Sequence, residues 1–188
     1  EPIMDGPVCV VTGGSSSIGL ETAGGLAALG ATVVLRRTAE KADAAAAAIR
    51  ESTGNEDVHA MSADLSSLVG VRGLADRIAA RFDALHVLVN NAGLWHPKRT
   101  LSADGYEDTF AVNHLAHFLL TARLLELLCA SAPARIVTVS SRLHERERRF
   151  DFAAVMRERR YAELAAYRHS KLANVMFANE LAGVAVLA

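Results

Sequence analysis

Short apolar runs alternate with longer stretches whose apolar positions recur at helical spacing. Residues 8–11 (Val, Cys, Val, Val) are apolar and mostly β-branched, as expected for a buried parallel strand. Residues 20–29 follow with a helical period, and Gly30 reads as the stop. Further apolar runs at 31–35, 58–61, 87–89 and 135–139 predict more strands. Alanine-rich 44–48 reads as a helix face, and 112–121 and the stretch around Tyr167 read as helical. Residues 180–182 would end the last helix, and 183–188 read as a strand almost at once. This alternation argues an α/β domain: a doubly wound parallel sheet in a three-layer α/β/α arrangement, spanning 1–188 as one unit. No repeat or interdomain linker interrupts it.

Composition narrows the class. The 188 residues are 51% hydrophobic and 22% charged, which suits an ordinary core. A net charge of −1 offers no field for nucleic acid or an anionic membrane. No apolar run approaches the ~18–20 residues that a membrane span needs. Two cysteines, Cys9 in a strand and Cys129 in a helix, make no disulfide framework; a reducing, cytoplasmic setting is expected.

The loop after the first strand carries chemistry. Thr12, Gly13, Gly14, Ser15, Ser16, Ser17, Ile18 and Gly19 join a strand to a helix N-terminus. Backbone N–H groups and the helix dipole can hold a pyrophosphate there, the context of a dinucleotide fingerprint. The second strand ends in Arg36 and Arg37. An acidic residue there would bind the ribose hydroxyls of NAD, whereas arginine accommodates a 2′-phosphate. NADP(H) is therefore expected over NAD(H), with Arg37 chosen to face the phosphate.

Near the other end stand Tyr167 and Lys171, four residues apart on one helical face. A tyrosine with a pKa near ~10 is a poor acid–base group at neutral pH, and an adjacent ammonium favours its phenolate. Between these landmarks lie Asp64-Leu65, then Asn90, Asn91, Ala92 and Gly93 after a strand, then Asn113, then Ser140 and Ser141 after another strand. Thr12, Arg37, Asp64, Asn90 and Ser141 all fall at carboxyl ends of strands, where such sheets bind ligands.

This ordered set resembles the short-chain dehydrogenase/reductase family, from about Val8 to Leu181. The stretches around Asn113, Ser141 and Tyr167 are most similar to its retinol-dehydrogenase-like branch, which includes the WW-domain oxidoreductase. The resemblance implies a Rossmann fold and hydride transfer between NADP(H) and a carbonyl or alcohol. It makes Tyr167 the general acid or base, and Lys171 the group that lowers its pKa and binds the nicotinamide ribose. It gives Ser141 the reacting oxygen, and Asn113 a helix kink and a relay water. Asn90 would support the sheet, and Asp64 and Leu65 would contact adenine. Gly13, Ser15, Ser16, Ser17, Ile18, Gly19, Asn91, Ala92 and Gly93 would complete the cofactor site. In relatives the helices bearing Asn113 and Tyr167 pack on another subunit, so a homodimer or homotetramer is expected.

The chain departs from that pattern in four places. Ser17 stands where the family has its middle glycine. The segment 33–38 is one residue short. The turn near 183 is short. The chain stops before the family's substrate-covering elements, which reads as a fragment or incomplete record, with a natural short homologue as the alternative. The alternative function is a non-catalytic NADP(H)-binding sensor or scaffold; a nucleotide-sugar epimerase shares Tyr-x-x-x-Lys but fits the Asn-Asn-Ala-Gly turn poorly. His114 and His117, three apart, find no acidic or thiol ligand at metal spacing, so packing is expected of them and no metal. Trp95 borders the mouth or packs its loop. The charged stretch 142–160 is a solvated loop or a wall of the substrate pocket; in the second reading Phe150, Phe152, Val155 and Met156 supply an apolar side suited to a lipophilic substrate.

Overall fold

A computed structural model describes residues 6–15, 17–37, 39–156 and 161–185, and of residues 35–37, 39, 40, 154, 156, 184 and 185 the backbone alone. Five strands, β1 (Val8–Thr12), β2 (Thr32–Arg37), β3 (Val58–Ser62), β4 (Val87–Asn90) and β5 (Arg135–Thr138), form one parallel sheet ordered β3-β2-β1-β4-β5. The crossovers are α1 (Ser17–Ala28), α2 (Ala39–Thr53), α3 (Leu68–Arg81) and a long helix of three parts. Those parts are α4 (Asp108–Phe110), a widened π turn (Ala111–Leu115) and α5 (Ala116–Ala130). After β5 come a 3₁₀ turn (Arg142–Arg146), α6 (Phe152–Met156) and α7 (Glu163–Ala185).

Every residue of β1 is buried, and its side chains alternate between two cores. Cys9 and Val11 join Ala23, Ala27, Ala46 and Ile49 beneath α1 and α2. Val8 and Val10 join Leu74, Ile78, Leu120 and Leu124 beneath α3 and α5. The period of two explains why β1 must be apolar throughout: both of its faces are covered. Gly30 has φ +83° and turns α1 into β2, as its position after the last apolar residue of the helix predicted.

From β1 the chain first winds outward to β3, then crosses back to β4 on the other side. Strands β1 and β4 thus flank the reversal point, and a crevice opens at their carboxyl ends. The long helix begins at Glu107, whose buried carboxylate accepts the N–H groups of Thr109 (3.1 Å) and Phe110 (2.8 Å).

Two expectations are corrected. Residues 183–185 are not strand but the last turn of α7. A short apolar run does not distinguish strand from helix by its period, and Gly183 continues the helix instead of capping it; residues 186–188 lie outside the described set. The stretch after Ser141 is likewise not plain loop, since it forms the 3₁₀ turn and α6. Val155 packs with Phe110 and Ala173, and Phe150 packs against that cluster, so these two fasten the segment to α4 and α7.

Candidate active site

An open cleft of about 790 Å³ lies over the carboxyl ends of β1, β4 and β5. Gly13, Ser17, Ile18, Gly19, Asn91, Ala92 and Gly93 line one part of it; Ser140, Ser141, Tyr167 and Lys171 line another. Residues from five separate sequence regions therefore meet in one cavity.

The glycine-rich side is shaped by close approach. Gly13 has φ +69°, and a Cβ there would stand 3.0 Å from Ala92 Cα and 3.1 Å from Asn91 Nδ2. A Cβ on Gly19 would collide with the Gly13 carbonyl and Asn91 Nδ2. Ser17 adopts φ +48°, the left-handed region, although it carries a Cβ. Ser15 Oγ is buried and has no hydrogen-bond partner among the described residues. An unsatisfied hydroxyl, a glycine-lined cradle and the N-terminus of α1 suit a pyrophosphate. Ser16 lies outside the described residues, as do the side chains of Arg36 and Arg37 at the end of β2.

Thr12 joins this cradle to the next turn. Its Oγ1 accepts N–H bonds from Asn91 (2.9 Å) and Ala92 (3.0 Å), and Asn91 Nδ2 donates to the Thr12 carbonyl (2.9 Å). Asn90 is fully buried, with Nδ2 donating to Thr121 Oγ1 (2.9 Å), and so ties β4 to α5.

Asn113 sits in the π turn, where the N–H of Ala116 reaches back five residues to Ala111. Its Oδ1 accepts from Leu94 N (2.8 Å), and its Nδ2 donates to Leu94 O (2.9 Å) and Ser170 Oγ (3.1 Å). Its carbonyl accepts from Asn174 Nδ2 (2.9 Å) and faces His117 Nδ1 (3.0 Å). Asn113 thus pins the loop after Gly93 to α7 with both ends of its side chain.

Tyr167 and Lys171 rise one turn apart from α7. The Lys171 ammonium donates to Val139 O (3.0 Å) and stands 5.8 Å from the Tyr167 ring centroid. It is buried, and burial lowers its pKa from 10.5 to about 8. Of the adjacent serines, Ser140 donates its proton to the Lys171 carbonyl (2.8 Å), while Ser141 Oγ accepts from Leu143 N (3.3 Å) as the cap of the 3₁₀ turn. Trp95 is 52% exposed and stands edge-on to Tyr167, with ring centroids 6.3 Å apart.

Other expected residues fall elsewhere. Asp64, beyond β3, is exposed and accepts from Ser66 N and Oγ (both 2.8 Å). Leu65 is buried, with its side chain in the core. From the charged stretch, Leu143 lines the cleft, whereas Phe152 is exposed and Phe150 and Val155 are packed away; the Met156 side chain lies outside the description. His114 and His117 diverge: His114 Nδ1 meets Asn174 Oδ1 (3.0 Å), and His117 Nε2 meets Thr12 Oγ1 (3.1 Å). Among the described residues no group of three potential metal ligands converges.

Asn174 and His117 were not in the expected site, although their spacing from Lys171 (i+3) and Asn113 (i+4) is a usable signal. No helix among the described residues is long and apolar enough to cross a membrane.

Human retinol dehydrogenase 12 is 45% identical over 180 residues, covering 95% of this chain and 57% of that protein. Human WW domain-containing oxidoreductase is 41% identical over 184 residues, covering 94% of this chain and 44% of its own. The chain thus spans about half the length of these relatives. A short chain dehydrogenase structure from Escherichia coli CFT073, complexed with NADPH, superimposes with a TM-score of 0.78 at 32% identity, covering 97% of this chain and 72% of the other. The family model of the short chain dehydrogenases matches residues 7–183, and the chain belongs to that family, in the branch of the retinol dehydrogenases and the WW domain-containing oxidoreductases.

Proposed function

We propose that residues 1–188 form the dinucleotide-binding catalytic domain of an NADP(H)-dependent oxidoreductase that interconverts a carbonyl and an alcohol on a lipophilic small molecule. The observation that carries this reading is the shared cleft: Tyr167, Lys171 and Ser141 face the same cavity as Gly13, Asn91 and Gly93. Bound across that cavity, the nicotinamide would supply or accept the hydride.

Each residue has a role that its surroundings support. The Tyr167 phenol gives a proton to the carbonyl oxygen, or takes one from the alcohol. The Lys171 ammonium stabilises the phenolate and donates to the ribose hydroxyls. The Ser141 hydroxyl, whose proton is free to turn into the cleft, donates to the same reacting oxygen and stabilises charge that grows there. Asn113 positions the loop that carries Trp95. Gly13, Ser15, Ser16, Ser17, Ile18 and Gly19 hold the pyrophosphate; Asn91, Ala92 and Gly93 flank the nicotinamide half; Asp64 and Leu65 lie toward the adenine. Arg36 and Arg37 at the end of β2 favour NADP(H), and a relative complexed with NADPH is consistent with that choice. Free thiols at Cys9 and Cys129 fit a reducing, cytoplasmic setting. Phe118 and Met176, about half exposed on α5 and α7, favour a homodimer or homotetramer through those helices.

Tyr167→Phe tests the assignment. Turnover should fall by ~10²–10⁴-fold while NADPH binding persists; undiminished turnover would overturn it. One observation favours a second reading, a sensor that holds NADP(H) without turnover. The left-handed Ser17 puts a Cβ where the backbone must approach phosphate. Such a protein would bind NADPH yet reduce no carbonyl in a substrate panel.

A further inference from the structure

His117 is fully buried on α5, away from the cleft lining, and its two ring nitrogens face two different elements, the π turn and the end of β1. Nδ1 lies 3.0 Å from the Asn113 carbonyl, and Nε2 lies 3.1 Å from Thr12 Oγ1. Hydrogen-bond accounting decides the proton positions. A carbonyl oxygen only accepts, so Nδ1 carries a hydrogen and donates to Asn113. Thr12 Oγ1 already receives two N–H groups, from Asn91 and Ala92, which fill its lone pairs. It has one proton to give and no capacity to accept a third. Nε2 is therefore unprotonated, and the Thr12 hydroxyl shares its one proton between Nε2 at 3.1 Å and the Val89 carbonyl at 3.2 Å.

We infer that His117 is a positioning residue of the cofactor cleft: as the neutral Nδ1–H tautomer it orients the Thr12 hydroxyl, which in turn fixes the Asn91-Ala92-Gly93 turn, and it locks that turn to the Asn113 turn of the long helix. This rests on the reading that the cleft holds a nicotinamide dinucleotide. Without the imidazole, the Thr12 proton turns to its other acceptor, the Val89 carbonyl at 3.2 Å. The lone pairs rotate with it and leave the two N–H groups poorly aimed. Asn91 Nδ2 occupies the space that a Cβ on Gly13 or Gly19 would need, so movement of this turn reaches the phosphate cradle directly. The carbonyl of Asn113 keeps Asn174 as a second donor, so loss of His117 loosens the cleft without dissolving the π turn.

Two measurements on the full chain test this. Imidazole ¹⁵N spectra, with the His117 signals identified by their loss in His117→Gln, should show Nδ1 protonated and Nε2 bare; a protonated Nε2 overturns the inference. NADPH titration followed by fluorescence should show His117→Leu and Thr12→Val each weakened about tenfold, with the double variant no weaker than either single one. Additive losses, or unchanged affinity in His117→Leu, overturn it. Gln offers an acceptor where Nε2 stood, whereas Asn replaces only the Nδ1 donor. His117→Gln should thus bind NADPH more tightly than His117→Asn, and the reverse order overturns the inference even if the leucine variant does not fold. A wild-type chain that bound no NADPH would instead sink the functional reading, while the ¹⁵N spectrum would still report the tautomer.

Discussion

Ser140 Oγ donates to the main-chain carbonyl of Lys171 at 2.8 Å, across 31 residues of sequence, and so ties the end of β5 to the middle of α7. Its neighbour Ser141 makes no such donation and lines the cleft. Ser140→Ala should lower stability by ~1 kcal/mol, the ordinary net value of one hydrogen bond, and be visible in a denaturant titration. Ser141→Ala should cost no more stability than Ser140→Ala, since its 3.3 Å cap bond to Leu143 N is the longer of the two, and should reduce kcat by ~10²–10³-fold, as for loss of one donor to a developing oxyanion. A larger kcat loss in Ser140→Ala than in Ser141→Ala would reverse the assignment.

Lys171 predicts a pH dependence of stability with a definite sign. Its pKa is about 8 when folded against 10.5 when free. Between those values the unfolded chain binds a proton that the folded chain does not, so stability rises with pH. The contribution is flat below about 8. Subtracting the unfolding free energy of Lys171→Met from that of the wild type, measured from pH 7 to 10.5, should isolate it. The difference should move in favour of the wild type as pH increases. Turnover should move the other way above pH 8, because the neutral amine no longer supports the phenolate.

Ser17 holds a left-handed backbone that glycine adopts at little cost. In Ser17→Gly the relief of strain, ~1 kcal/mol, is offset by the entropy of an added glycine at the helix start. The melting temperature should therefore change little. Removing the Cβ should nevertheless tighten NADPH binding by about threefold or more, because backbone can approach the phosphates. Weaker binding in this variant would mean that the serine hydroxyl is itself a phosphate donor.

Trp95 is the single tryptophan of the chain, and it stands edge-on to Tyr167. Its emission should be quenched on NADPH addition, with energy transfer to the dihydronicotinamide. Trp95→Ala should raise KM for a lipophilic carbonyl by roughly three- to tenfold with little change in kcat, the size of one lost aromatic contact. A fall in kcat at constant KM would show that the indole orients Tyr167 instead of contacting substrate.

Local order was legible wherever a single element carried the signal. The strand at 8–11 had to be apolar on both faces because cores lie on both sides of the sheet, and Gly13 and Gly30 stand where φ is positive. Tyr167 and Lys171 share a helical face by period alone. The reading failed at 183–185, where three residues of apolar sequence fit either helix or strand and only their continuity with α7 decides. It left Phe150 and Val155 between a solvated loop and a pocket wall, because a hydrophobic residue in a charged stretch does not declare which neighbour buries it; Phe110 does so here, 40 residues from Phe150.

What chain order and periodicity determined was the set of elements and the ends at which polar residues gather, since both follow from repeats of two and 3.6 residues. Which serine keeps its proton, which nitrogen of His117 is bare, and that Asn174 reaches the Asn113 carbonyl 61 residues away were decided only by tertiary structure. Hydrogen bonds depend on angles and ångströms between elements that sequence spacing leaves undefined, and only closure of the sheet and its helices supplies them.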